Sequence, residues 1–105
     1  MKTLRESLQD RILLLDGAMG SLIQTYGLKE EDFQGELQLA EGTRVQGNND
    51  LLNLTRPDII SDIHRRYLEA GADIVTANTF NSQRISQAEY HCGHLVRQLN
   101  AEAVR

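Results

Sequence analysis

The chain has 105 residues, 40% of them hydrophobic and 25% charged, with a formal net charge of -4. That length suits one small domain, and an acidic balance without basic clusters argues against nucleic acid or an anionic membrane surface as the main partner. No apolar stretch is long enough to span a bilayer, the N-terminus lacks the apolar core of a secretion signal, and a single cysteine cannot form an internal disulfide, so a reducing cytoplasm is the expected setting.

Residues 3–10 carry leucines at 4 and 8 with charges between them, the pattern of a short surface helix. Ile12 to Leu15 is a continuous apolar run that stops at Asp16 and Gly17, and it reads as a strand buried on both faces. Gly17-Ala18-Met19-Gly20 then turns tightly into a helical stretch, Ser21 to Tyr26, with Met19, Leu22, Ile23 and Tyr26 on one face and Gly27 as the stop. Such a strand, turn and helix start would aim free backbone N–H groups and a helix dipole at one point, where a small carboxylate or phosphate fits. Asp16 adds an acceptor for an amine, so the pair suggests an amino acid ligand. A purely structural turn, whose glycines only allow close packing, is the competing reading.

Lys29 to Asp32 is a charged turn or brief helix, and residues 33–47 lose all period, as a long loop does. Gly47-Asn48-Asn49-Asp50 is a turn signal, with Asn49 or Asp50 placed to cap a short helical stretch, Leu51 to Leu54. Thr55 and Asp58 have capping-box spacing around Pro57, and Ile59, Ile60, Ile63, Tyr67 and Ala70 form an apolar stripe up to Gly71. His64 borders that stripe and reads as a surface histidine. Ile74 to Ala77 is the second expected strand, delivering Asn78-Thr79-Phe80-Asn81 at its carboxyl end. Helical spacing returns with Ile85, Ala88 and Tyr90, and again after Gly93 with Leu95, Val96, Leu99 and Val104, still running at Arg105.

Strands alternating with helices predict an α/β fold of parallel βαβ construction. A right-handed crossover would bring Asp16–Gly20 and Asn78–Asn81 to the same rim, where parallel sheets bind ligands.

Three segments in order, Asp16-Gly17-Ala18-Met19-Gly20, Gly47-Asn48-Asn49-Asp50-Leu51-Leu52, and Glu69-Ala70-Gly71-Ala72-Asp73 running into Asn78-Thr79-Phe80-Asn81, resemble the homocysteine-binding domain of the cobalamin-dependent methionine synthase family. The likeness runs from about residue 4 to the end. It implies a (β/α)8 TIM barrel, of which residues 1–105 would be an N-terminal fragment holding the first two or so βα units. It implies methyl transfer from methylcobalamin to zinc-bound homocysteine, giving methionine. Asp16, Gly17 and Ala18 would bind the amino acid end, and Asn78 and Thr79 would line the pocket. The family's zinc sits on three cysteine thiolates of late strands. Cys92 matches none of them, so zinc and methylcobalamin are both expected outside this segment. The remaining barrel, with cobalamin- and folate-binding modules, would be its partners, and the segment alone would be inactive.

Other readings stand beside this one. His91-Cys92-Gly93-His94 has metal-ligand chemistry, but only three donors, and helical neighbours point apart, so chance clustering is the better account. A stand-alone α/β phosphate-binding module would use the Gly17–Gly20 loop, although that loop has neither a dinucleotide fingerprint nor a P-loop. A noncatalytic interaction fragment would dock through an open sheet edge.

Overall fold

The computed structural model of the protein describes residues 3–39 and 41–105. Its core is built around Leu51 and Leu52. Leu51 and Leu52 are completely buried, and so are Ile63 and Leu99. The helix Leu52–Thr55 (α4) packs against Pro57–Glu69 (α5), Val96–Ala103 (α7) and Glu30–Gln34 (α3). Phe33 from α3, Ile23 from Gly20–Gln24 (α2), and Ile59 and Ile60 from α5 complete this cluster with Val45, Cys92 and Leu95. Leu4–Asp10 (α1) buries none of its residues, and Arg84–Ala88 (α6) buries only Gln87. The shape is elongated, 53 × 26 × 18 Å, with a radius of gyration of 15.5 Å, against about 13 Å for a compact chain of this size.

The expected α/β architecture is not what the chain adopts. Among the described residues there is no strand and no sheet, and the fold is mainly helical. Leu15 and Ile74 form one isolated parallel bridge, carried by Asp16 N–H to Ile74 O (2.9 Å) and Ile74 N–H to Leu14 O (3.1 Å). The ladder stops there for a physical reason. On one side the Asp16 carboxylate accepts the Thr76 N–H (2.9 Å), and on the other the Asp73 carboxylate accepts the Leu14 N–H (2.9 Å). Short acidic side chains take donors that further strand pairing would need. The apolar run is also not buried: Ile12 is 84% exposed, Leu14 55% and Leu15 67%. Two βα units of a TIM barrel are therefore absent, because the segments expected to form them meet at one residue pair.

Several local expectations also shift. Thr3 caps α1 as its Oγ1 accepts the Glu6 N–H at 3.1 Å, and Gly27 (φ +59°) and Gly71 (φ +114°) leave their helices in the left-handed region that glycine tolerates. The capping box at Thr55 and Asp58 does not form: Thr55 donates back to Leu51 O, Asp58 pairs with Arg56, and Pro57 opens α5. In the 33–47 loop, the Glu30 carboxylate fixes the backbone by accepting the N–H groups of Val45 and Gln46, each at 2.6 Å. On α6 the expected face is reversed. Ile85 is 80% exposed while Gln87 is sealed, since its amide exchanges hydrogen bonds with Asn48. α7 ends at Ala103 rather than running through Arg105.

Candidate functional site

Asp16 lies beside the bridge, and both its carboxylate oxygens are engaged by one residue. Oδ2 takes the Thr76 N–H and Oδ1 the Thr76 hydroxyl (3.0 Å), which fixes the orientation of the carboxylate. Gly17 follows under the ring of Tyr67, where a Cβ would stand 2.9 Å from Cε1 and from the hydroxyl oxygen. The absence of a side chain lets the α5 tyrosine reach over this turn, and its hydroxyl donates to Ala18 O at 2.7 Å. A bond between Tyr67 and Ala18 thus ties the Asp16–Met19 turn to α5.

The opposite wall is the segment that follows Ile74–Ala77, and it is held by buried amides. Asn78 is 6% exposed; its Nδ2 donates to Asn49 O (2.8 Å) and to Asn53 Oδ1 (3.3 Å), while Asn53 Nδ2 donates to Asn78 O (2.7 Å). The Asp50 carboxylate, 1% exposed, accepts through Oδ2 from Asn81 N–H (2.9 Å) and from the Ser82 hydroxyl (2.5 Å). These buried hydrogen bonds hold the loop in one arrangement, because each lost partner costs about 1–3 kcal/mol.

Between these walls runs a two-lobed cleft. Asp16, Gly17, Asn78 and Thr79 border one lobe of about 260 Å³, together with Met19 and Phe80. The second, about 290 Å³, shares Met19, Asn78 and Phe80 and is bounded by Asn49 and Asp50. Four of the five site residues read from the sequence therefore meet at one cleft. Ala18 does not border it and contributes its carbonyl to Tyr67 instead. No lysine or arginine borders either lobe, while two carboxylates do. The helix-end anion site is not built as expected either. α2 has only five residues, and Met19 at its start makes no side-chain cap, so there is little aligned dipole to offer.

Thr76, Tyr67, Asp50 and Asn53 are missing from the sequence-derived set, and each holds part of the cleft. A dense run of Asn and Asp at 48–53 was the available signal. It read as a turn with a cap, whereas Asn49 and Asp50 enter a short 3-10 helix from which the Asp50 carboxylate reaches Asn81 and Ser82 and the Asn49 carbonyl accepts from Asn78. A separate groove of about 620 Å³ between α5 and the end of α7 borders His64 and shares only Ala77 with the cleft.

His91, Cys92 and His94 do not converge on a metal. The Cys92 side chain is sealed and its thiol donates to Tyr90 O at 3.2 Å, with burial pushing its pKa up. Among the described residues no three His, Cys, Asp or Glu side chains stand together as ligands. Nor is any helix of the described residues long and apolar enough to cross a membrane.

Residues 13–105 match the family described as homocysteine S-methyltransferase. The chain belongs to that family. Its members are methyltransferases, so methyl transfer to homocysteine is the activity to which this cleft has to be related. The match begins at Leu13, three residues before Asp16, and takes in both walls of the cleft.

Proposed function

We propose that this cleft receives the amino acid end of homocysteine, the methyl acceptor, with Asp16, Gly17, Asn78 and Thr79 as its contacts and Ala18 shaping the turn beneath them. The observation carrying the reading is the meeting of Asp16–Gly17 with Asn78–Thr79 around one lobe, within a chain that belongs to a homocysteine S-methyltransferase family. An ammonium group suits a pocket bordered by carboxylates and no cation. The Gly17 N–H has no partner among the described residues, and it can serve the ligand's carboxylate. Each lobe lies just under the roughly 300 Å³ at the small end of ligand pockets, which fits an amino acid rather than a cofactor.

The Gly47–Leu52 stretch favours the cobalamin-dependent branch of the family, with methylcobalamin as methyl donor and methionine as product. The residues in hand do not fit either companion group. Zinc lacks a set of ligands among the described residues, and neither lobe has room for a corrinoid ring, so no step is assigned to these groups here. In this reading residues 1–105 supply the side of the pocket that holds the amino acid, and the sulfur chemistry takes place on protein beyond it. A phosphate-binding module is disfavoured by the same carboxylates.

The test is calorimetric titration of homocysteine into the chain and its Asp16→Ala variant. Loss of a charge-assisted contact predicts affinity lower by about tenfold or more in the variant. Equal affinity in both proteins would remove Asp16 from the site.

A further inference from the structure

Between Asp73 and Glu102 the chain carries one acidic residue, Glu89, although its formal net charge is -4. That stretch folds back on itself at His91, a left-handed residue (φ +59°) whose N–H reaches Ala88 O at 3.0 Å, and the Cys92 N–H returns to Gln87 O at 2.9 Å. The reversal lays the 3-10 turn Gly93–Leu95 along α6, where a Cβ on Gly93 would stand 3.8 Å from Arg84 O. Arg84 and Ala88 lie one helical turn apart on α6, as His94 and Arg97 do across the start of α7, so each pair shares a face. All four border one groove of about 520 Å³, together with Gly93 and Val96. No aspartate or glutamate borders it. The guanidinium groups of Arg11, Arg56, Arg65 and Arg105 are each held by a carboxylate. Those of Arg84 and Arg97 have no ion-pair or hydrogen-bond partner among the described residues, and neither has the His94 imidazole.

We propose that this groove binds a phosphomonoester, with Arg84, Arg97 and His94 as the donors to its phosphate and Ala88 and Val96 as the floor for its organic part. The groove shares no residue with either lobe of the cleft, so the site is independent of the homocysteine reading. Two guanidinium forks with unspent donors match phosphate oxygens in geometry as well as in charge. Positive groups around one space, with no carboxylate between them, also repel one another and focus a positive potential there. A phosphate carries roughly 1.5 to 2 negative charges at neutral pH and offsets both arginines, whereas a single carboxylate offsets one. The volume falls within the roughly 300–1,000 Å³ of small-molecule sites, more than a bare phosphate fills, and the small side chains at 88 and 93 leave that space open.

The full chain is titrated with inorganic phosphate, phenyl phosphate and benzoate while the backbone amides are followed by NMR. The same titrations are run on Arg84→Gln, Arg97→Gln and Arg97→Lys, and on Arg5→Gln, which removes an exposed, unpaired arginine on α1. Phenyl phosphate is expected to shift the amides of residues 84–97 and to bind more tightly than inorganic phosphate, because the apolar floor adds contact. Arg84→Gln and Arg97→Gln should each weaken it by about five- to tenfold. Arg97→Lys should recover part of that loss, and Arg5→Gln should change nothing. These exposed substitutions touch no core residue, and amide spectra that match the wild type away from the groove verify that each variant is folded. Equal weakening by Arg5→Gln, or shifts spread over all the surface arginines, would mean a diffuse response to charge and overturn the site. Benzoate bound as tightly as phenyl phosphate would overturn the assignment to phosphate.

Discussion

Gly17 shows how one missing side chain organises the site. The tip of the Tyr67 ring occupies the space where a Cβ would be, and any retreat bends its hydrogen bond to Ala18 O. Gly17→Ala is expected to destabilise the fold by about 1 kcal/mol or somewhat more, the low end of the range for overpacking, since the ring tip can yield partly. Chemical denaturation of the two proteins measures it, and an unchanged midpoint would mean that Tyr67 does not press on the turn. The glycine was legible in the sequence as part of a tight turn. Its partner was not, because Tyr67 looked like one more member of an apolar stripe. Nothing in helical spacing says that a ring at the edge of that stripe will end in a hydrogen bond 49 residues away.

At the level of elements, helices were readable and strands were not. The stripe of α5 follows from Ile59, Ile60 and Ile63, all buried, and Gly71 ends it as its position predicted. For residues 12–15 and 74–77 the apolar runs predicted strands, but the two segments meet only at the Leu15–Ile74 bridge, and a sheet needs a partner that supplies further ladder bonds. Here Asp16 and Asp73 take those donors through their side chains. Asp73 also holds Arg11 at 2.8 Å. Its carboxyl pKa lies below the ordinary value, mainly through that Arg11 hydrogen bond and then through the Leu14 N–H. A depressed folded pKa means a contribution fully present above the unfolded value, roughly 3.9, and lost as pH falls through the lower folded value. Asp73→Asn should therefore flatten the acid limb of the stability curve below about pH 4, with little change in slope near neutrality. Thermal melts across that window check it, and parallel acid limbs in the two proteins would assign the acid sensitivity elsewhere.

The whole molecule has a dense centre and a loosely attached beginning. α3, α4, α5 and α7 surround Leu51 and Leu52, while α1 buries none of its seven residues and exposes Leu4 and Leu8 by more than half. A helix that short has no independent stability without packing. Hydrogen exchange should therefore find the α1 amides among the least protected, and those of Ile60 and Ile63 among the most. Slow exchange in α1 would reveal packing that its exposure does not suggest. At this scale the order of the helices was legible and the architecture was not, because layer formation depends on how many segments pair rather than on the pattern within any one.

The bridge between Leu15 and Ile74 has one more implication. The Asp16–Thr76 contact spans 60 positions of sequence, so no local stretch of chain can hold the cleft open by itself. Any small molecule lodged there would act as a clasp joining early and late portions of the polypeptide, and its affinity would reappear as a concentration-dependent rise in melting temperature.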